Sequence, residues 1–420
     1  MKLASSTKIV HYHRLLYASS SRLDCTSTKQ EMGFNNHVNL NIKKTKLKSD
    51  MNLRFNKHCR STSSTSVQLR KRWMEYQGIG DWNGLLNPLD DNLRGEILRY
   101  GQFVEAAYKG FDFNTSSPSY ATCRYPKTAL LNECGLEESG YKMTKNLRAT
   151  SAIELPRWTN LKVPQSSWIG YVAVCQNNAE IARLGRRDVV IAYRGTATCL
   201  EWLEILRATL THFPGSANVP AGHGGPMVET GFLSLYTSKA RTGPSLQDMV
   251  RDEILRILQT YGEEPLSLTI VGHSLGAALA ILTAYDIRKM FGKRAPMVTV
   301  ISFGGPRVGN SSFRRCLEKR GVKILRIVNT NDLITKVPGF VTDEAENDVE
   351  EDKVGYGGWA KFRDWIRKRV DMRRWVYAEL GQELRLCSRD SPSYMINPVE
   401  IATCHDLRTY LNLVNGFGSS

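Results

Sequence analysis

Apolar residues recur along this chain with two periods, and the change from one to the other marks its elements. The run LSLTIV at 266–271 is short, apolar and β-branched, as a buried strand requires. From Leu275 to Ile287 alanine and leucine dominate, which predicts a helix. WIGYVAVC (168–175), DVVIAYRG (188–195), MVTVISFGG (297–305) and KILRIVNTND (323–332) read as further strands. The polar stretch between the first two of these predicts a hairpin or a short crossover. From Asp91 the period turns helical, with Leu93, Ile97, Tyr100 and Val104 on one face. SLQDMVRDEILRILQTYG (245–262) is amphipathic, apolar at Leu246, Met249, Val250, Ile254, Ile257, Leu258 and Tyr261. Ser245 and Asp248 stand three apart at its start, the spacing of a capping pair. Residues 114–167, with Pro118, Pro126, Pro156 and Pro164, read as loop-rich. Strands alternating with helices imply an α/β fold, with a mostly parallel sheet covered on both faces.

Composition adds an extension to that domain. The chain has 420 residues, 41% of them hydrophobic, which suffices for one large core. A net charge of +16 raises the question of nucleic acid. The charge is uneven, however. Residues 1–70 carry 13 Lys and Arg against three Asp and Glu, leaving 44 against 38 for the rest. No basic stripe with interleaved aromatics follows, so nucleic acid is not an expected partner. Residues 1–70 are rich in Ser, Thr, Lys and Asn, poor in acids, and lack the apolar core of a secretory signal. They read as a disordered organelle transit peptide, chloroplast or mitochondrial, ahead of a domain spanning 71–420; a basic tail with no address is the plainer alternative. The nine cysteines are odd in number and irregular in spacing, with no zinc pattern. Free thiols in a reducing compartment, and no metal, follow from that. No apolar stretch is long enough to cross a membrane.

The junction between strand and helix at 271–276 carries the chemistry. Gly272-His273-Ser274-Leu275-Gly276 is a G-x-S-x-G turn. By itself this pattern is common; a strand before it and a helix after it make it a turn that lifts the Ser274 hydroxyl out as a nucleophile. Such a serine needs a histidine base, and the histidine needs an acid. In the α/β-hydrolase order the acid and then the histidine follow the serine. Only one histidine lies beyond Ser274, His405, so it is the expected base. A surface histidine near the start of a C-terminal helix is the alternative. The acid is less constrained: Asp286, Asp332, Asp343, Asp348, Asp352, Asp364, Asp371 and Asp390 all intervene. Asp332 follows the strand KILRIVN directly, at the edge where α/β sheets place functional groups, and is preferred. Oxyanion donors are expected at the Leu275 N–H and at Thr196, in the Arg194-Gly195-Thr196 turn after an earlier strand.

Two stretches bear on the substrate. Residues 200–226 begin as a short apolar helix, with Leu200, Leu203, Leu206 and Leu210, and continue as a Gly/Pro/Ala loop. This is a lid for an apolar substrate or else a core helix. Residues 357–375 set Trp359, Phe362, Trp365 and Ile366 at helical spacing among basic residues. That pattern suits an anionic membrane surface, or a helix packed on the core with its basic face solvated.

GHSLGAALA, FGGPRVGN (303–310), NDLITKVPG (331–339) and the Arg194-Gly195-Thr196 loop together resemble the class 3 lipases. The stretch WMEYQGIGDWNGLLNPLDDNLRGEILRYGQFVEAAYKGFDF resembles the plant class I phospholipases A1, as do GYVAVC, YRGTATCLEWLEILRATLTH and PMVETGFLSLYTS. Among these the chain is most similar to the chloroplast enzymes of the defective-in-anther-dehiscence type, from about Arg70 onward. The resemblance implies an α/β-hydrolase fold and hydrolysis of the sn-1 ester of phospholipids and galactolipids. It implies release of linolenic acid for jasmonate synthesis in the chloroplast, peripheral to membranes or plastoglobules, with membrane lipid as the partner and no cofactor. It implies Ser274, Asp332 and His405 as the triad, Thr196 and Leu275 as oxyanion donors, and a structural role for His273. A triacylglycerol or other ester lipase, an acyl transferase, or a lipase-like signalling scaffold remain as alternatives.

Overall fold

The fold was read from a computed structural model, which describes residues 63–152, 165–197, 209–214, 225–241, 243–336, 377–387 and 401–416. The chain divides into two units, 1–71 and 72–420. Helix α1 (Ser63–Tyr76) departs from helical geometry at Arg72, with φ −110° and ψ 16°. The elements below all belong to the second unit.

Helix α2 (Asp91–Lys109) starts where the Asp90 carboxylate accepts the N–H groups of Asn92 and Leu93, satisfying two donors that the first turn leaves open. Its predicted face, Leu93, Ile97, Tyr100 and Val104, is buried. Strand β1 (Tyr141–Thr150) follows, then β2 (Ser166–Cys175) and β3 (Arg187–Tyr193). β2 and β3 are antiparallel, so the connection between them is a hairpin, with a short helix Asn178–Leu184 in its arm. β4 (Leu210–His212) and β5 (Met227–Glu229) form a separate two-stranded ribbon. Helices α3 (Thr230–Thr237) and α4 (Leu246–Tyr261) follow. The capping pair is present: the Ser245 hydroxyl accepts the Asp248 N–H and the Asp248 carboxylate accepts the Ser245 N–H. Then come β6 (Leu266–His273), α5 (Leu275–Phe291), β7 (Met297–Phe303), α6 (Ser311–Lys319), β8 (Lys323–Asn329), β9 (Gln382–Leu386) and α7 (Leu407–Gly416).

Seven strands form one sheet in the order β1-β2-β3-β6-β7-β8-β9. β3, β6, β7, β8 and β9 are mutually parallel, while β1 and β2 run antiparallel at one edge. The α/β class and the mostly parallel sheet are therefore as expected. Side chains alternate between the faces with period two. Val189, Ile191 and Tyr193 of β3 and Leu268 and Ile270 of β6 enter an apolar core shared with α3, α4 and α5. The intervening Ser267 and Thr269 face α2, where the Tyr100 hydroxyl lies 3.0 Å from Thr269 Oγ1.

Two expectations are corrected. The loop-rich reading of 114–167 missed β1. YKMTKNLRAT is too polar to read as a strand because it is an edge strand, interrupted by two register shifts, and an edge carries charge to deter further pairing. Leu210, assigned to an apolar helix, lies instead in β4, where pairing of 210–212 with 227–229 overrides the leucine spacing. The remainder of the proposed lid, 198–208 and 215–224, the basic tryptophan stretch 357–375 and residues 1–62 lie outside the described residues.

Candidate active site

The parallel strands present their carboxyl ends along one edge; Thr196, Ser274 with Leu275, and Asp332 follow β3, β6 and β8, and His405 stands just before α7. Ser274 follows β6 at φ 56° and ψ −123°, a conformation that L-residues rarely adopt. Its N–H donates to the Phe303 carbonyl at the end of β7, and its own carbonyl begins α5 by accepting the Ala277 N–H. The two glycines of the motif are required by close backbone approach. A Cβ on Gly272 would lie 2.3 Å from the Gly276 carbonyl, and one on Gly276 would lie 2.5 Å from the Arg194 carbonyl oxygen. The turn thus presses directly on the loop after β3.

The structure brings Ser274, His405 and Asp332 together. Ser274 Oγ lies 2.8 Å from His405 Nε2, and His405 Nδ1 lies 2.7 Å from Asp332 Oδ2. An imidazole so held can take the serine proton at one nitrogen while the carboxylate fixes the other. Asp332 is 1% exposed, and burial pushes its carboxyl up. The adjacent His405, the Tyr410 hydroxyl and the Ile334 N–H outweigh that and hold it below the usual carboxylate range. Among the competing acids, Asp286 accepts a two-pronged ion pair from Arg251 at 2.6 and 2.7 Å, tying α5 to α4. Asp343, Asp348, Asp352, Asp364, Asp371 and Asp390 lie outside the described residues.

Thr196 is buried in the loop after β3. A Cβ on Gly195 would sit 3.1 Å from Ser274 Cβ, so this loop packs against the nucleophile turn. Leu275 opens α5, with its N–H at the positive end of the helix dipole. The buried Arg194 side chain steadies the loop: it donates to the Trp168 and Gly195 carbonyls at 2.9 and 2.7 Å and lies 4.0 Å from the Phe111 ring centroid.

Four supporting residues were not foreseen. Tyr410 on α7 donates its hydroxyl proton to Asp332 Oδ2 at 2.6 Å and accepts the Asn329 N–H. The Asn329 side-chain amide donates to the Cys404 carbonyl at 3.0 Å, holding the peptide before His405. Tyr108 on α2 lies 2.7 Å from His273 Nδ1 and accepts the Gly195 N–H at 2.8 Å. Arg194 was read only as part of a turn. Tyr410 stands five residues beyond the histidine, the one local cue; the others act across elements distant in sequence.

Tyr410 gives a pH test. Because the folded-state pKa of Asp332 is depressed, its contribution to stability is present above the unfolded value near 3.8 and is lost as pH falls through the lower folded value. Tyr410→Phe removes one of the bonds that lower it. Acid unfolding followed by tryptophan fluorescence should therefore begin at higher pH in the variant, with neutral-pH stability reduced by about 1–2 kcal/mol. An unchanged acid midpoint would show that Tyr410 does not stabilise the ionised carboxylate.

Comparison with known proteins shows the family. Residues 190–342 match the family described as lipase (class 3). The chain is 63% identical over 366 residues to phospholipase A(1) DAD1, chloroplastic, of Arabidopsis thaliana, covering 85% of this chain and 79% of that one. It is 38% identical over 362 residues to phospholipase A1 EG1, chloroplastic/mitochondrial, of Oryza sativa subsp. indica, covering 84% and 76%. It is 38% identical over 362 residues to galactolipase DONGLE, chloroplastic, of Arabidopsis thaliana, covering 84% and 71%. With that similarity running along most of both chains, and a strand–serine–helix turn on a mostly parallel sheet, this chain belongs to the plant phospholipase A1 group of the class 3 lipases.

Proposed function

We propose that this chain is a chloroplast serine acyl-hydrolase, a phospholipase A1, that cleaves the sn-1 ester of phospholipids and galactolipids. The observation that carries the reading is the hydrogen-bonded line Ser274–His405–Asp332 at the carboxyl edge of the sheet. Ser274 Oγ attacks the ester carbonyl while His405 Nε2 accepts its proton. Asp332 keeps the other imidazole nitrogen protonated and balances the charge that forms. The Leu275 and Thr196 N–H groups receive the negative oxygen of the tetrahedral intermediate. Its collapse breaks the ester C–O bond, and His405 returns the proton to the departing glycerol oxygen. Water, deprotonated by His405, then attacks the acyl-serine, releasing a free fatty acid and restoring Ser274. Every step uses side chains, backbone groups and water.

The domain from 71 to 420 carries this chemistry in our reading, and residues 1–70 supply the plastid address. The basic, acid-poor composition of that segment and the chloroplastic relatives support the assignment. Contact with membrane lipid is peripheral in our reading, and the basic tryptophan stretch 357–375 is the sequence suited to it. A role in jasmonate supply follows if linolenic acid is the acid released.

The test uses phosphatidylcholine and monogalactosyldiacylglycerol with distinct acyl chains at sn-1 and sn-2. Mass analysis should find the sn-1 acid released from both, with no release by Ser274→Ala. Release of the sn-2 acid would overturn the regiochemistry. Release from neither lipid, with a serine-reactive phosphonate still labelling Ser274, would redirect the search to triacylglycerols or soluble esters. Absence of labelling would leave a signalling scaffold as the better account.

A further inference from the structure

We propose that Tyr108 and His273 form a buried strut that positions both His405 and the Gly195–Thr196 loop against Ser274. The proposal rests on the acyl-hydrolase reading above and assigns positioning residues for it.

The strut begins at the peptide of His405. Its carbonyl oxygen lies 2.7 Å from His273 Nε2. A carbonyl can only accept, so Nε2 carries a proton and donates it. Burial, reinforced by the charge that His405 acquires when protonated, pushes the His273 imidazole down to about 3. The ring is therefore neutral at working pH, and its single proton is already placed on Nε2. Nδ1 must then accept, and the group facing it at 2.7 Å is the Tyr108 hydroxyl, which donates. The same hydroxyl oxygen accepts the Gly195 N–H at 2.8 Å. One unbroken line results: Gly195 N–H to Tyr108, Tyr108 O–H to His273 Nδ1, His273 Nε2–H to the His405 carbonyl.

Its two ends are the two parts of the site that must hold station during the reaction. One end is the Arg194–Gly195 peptide, one residue before Thr196. The other is the backbone of the base, whose ring lies 4.8 Å from the His273 ring between centroids, tilted by 36°. The Asn329 amide grips the preceding carbonyl, of Cys404, so the base is held from two sides. The strut also explains Gly195: a Cβ there would fall 2.3 Å from the Tyr108 hydroxyl oxygen. Among the described residues His273 hydrogen-bonds to Tyr108 and to the His405 carbonyl, not to Ser274 Oγ or Asp332, so it acts through His405 and exchanges no proton with the reacting atoms.

A misplacement of the order of 1 Å costs about 10²-fold in a reaction that depends on alignment. Tyr108→Phe and His273→Ala should therefore lower kcat on a soluble short-chain ester by about 10- to 100-fold, with KM unchanged and the thermal transition intact. His273→Gln places an amide N–H near the former Nε2 and should recover most of the loss. His273→Asn, whose amide reaches only as far as the former Nδ1, should not. Separately, ¹⁵N spectra of histidine-labelled wild type at pH 7 should show His273 protonated at Nε2 and bare at Nδ1. Wild-type kcat in folded Tyr108→Phe and His273→Ala, or a proton on Nδ1, would overturn the strut. Should neither variant fold, the wild-type spectrum decides. Phosphonate labelling separates the two levels of failure. Unlabelled wild type removes the acyl-hydrolase reading and the strut with it. Wild type and Tyr108→Phe labelled at the same rate removes the strut alone.

Discussion

Replacing Ser274 by alanine should lower turnover on phosphatidylcholine by about 10⁴-fold or more while leaving the thermal transition in place. The fold should survive because alanine at φ 56° carries the same strain as serine, and the turn is held by backbone bonds to Phe303 and Ala277 that do not involve the hydroxyl. Activity should fall because the substitution removes the hydroxyl that His405 Nε2 bonds. His405→Ala should cost about as much. Adding it to Ser274→Ala should cost little more, since the two act as one unit and their effects do not sum. The measurement is kcat of purified variants with unfolding monitored in parallel. Folded Ser274→Ala retaining more than a few per cent of wild-type turnover would remove the assignment of the nucleophile.

Asp188→Ala should be the most damaging substitution away from the site. Asp188 is the second residue of β3 and is fully buried. Its carboxylate accepts the Tyr141 hydroxyl at 2.7 Å, the Tyr100 hydroxyl at 2.9 Å, the Ser267 hydroxyl at 2.7 Å and the Arg99 guanidinium at 3.3 Å. Arg99 and the fully buried Arg186 also share the carboxylate of Glu96. Burial works against ionisation of Glu96, but the two arginines outweigh it and hold its pKa at about 2. Two positive charges are thus balanced by two negative ones, all inside the protein. Removing Asp188 leaves an uncompensated buried cation and several hydroxyls without their acceptor. Breaking a buried pair in this way costs about 3–5 kcal/mol. The urea midpoint should drop accordingly. The turnover of whatever remains folded should be near normal, because Asp188 pairs with Ser267 at the amino edge of the sheet, roughly 20 Å along the strands from Ser274. An alanine variant as stable as wild type would show the network to be energetically neutral.

How far the site was legible follows from how each residue works. Ser274 was readable because a strand-to-helix turn with an exposed side chain needs glycine at both flanks, and that need is local. His405 was readable by elimination, as the single histidine after the serine. Asp332 was readable because the period-two pattern of KILRIVN ends just before it, which places it at the carboxyl edge. Tyr108, Asn329 and Tyr410 left no comparable mark. Each contributes a polar group that contacts a partner from a different element, and nothing in its neighbours reports that partner. β1 was missed for a related reason: its stability comes from pairing with β2, while its own residues are those of a solvated edge.

The sequence by itself determined β2, β3, β6, β7 and β8, the helices α2, α4 and α5, the mostly parallel sheet, the capping of α4 and the candidates Ser274, Asp332 and His405, because each depends on residue type at short spacing. Only the tertiary structure decided which polar residues of α2 and the sheet join in a buried charge network, and which tyrosines hold the base and the acid. These are contacts between residues tens to hundreds of positions apart. A buried hydroxyl or carboxylate in a sequence looks like an exposed one; its partner, and so its role, exists only once the chain has folded.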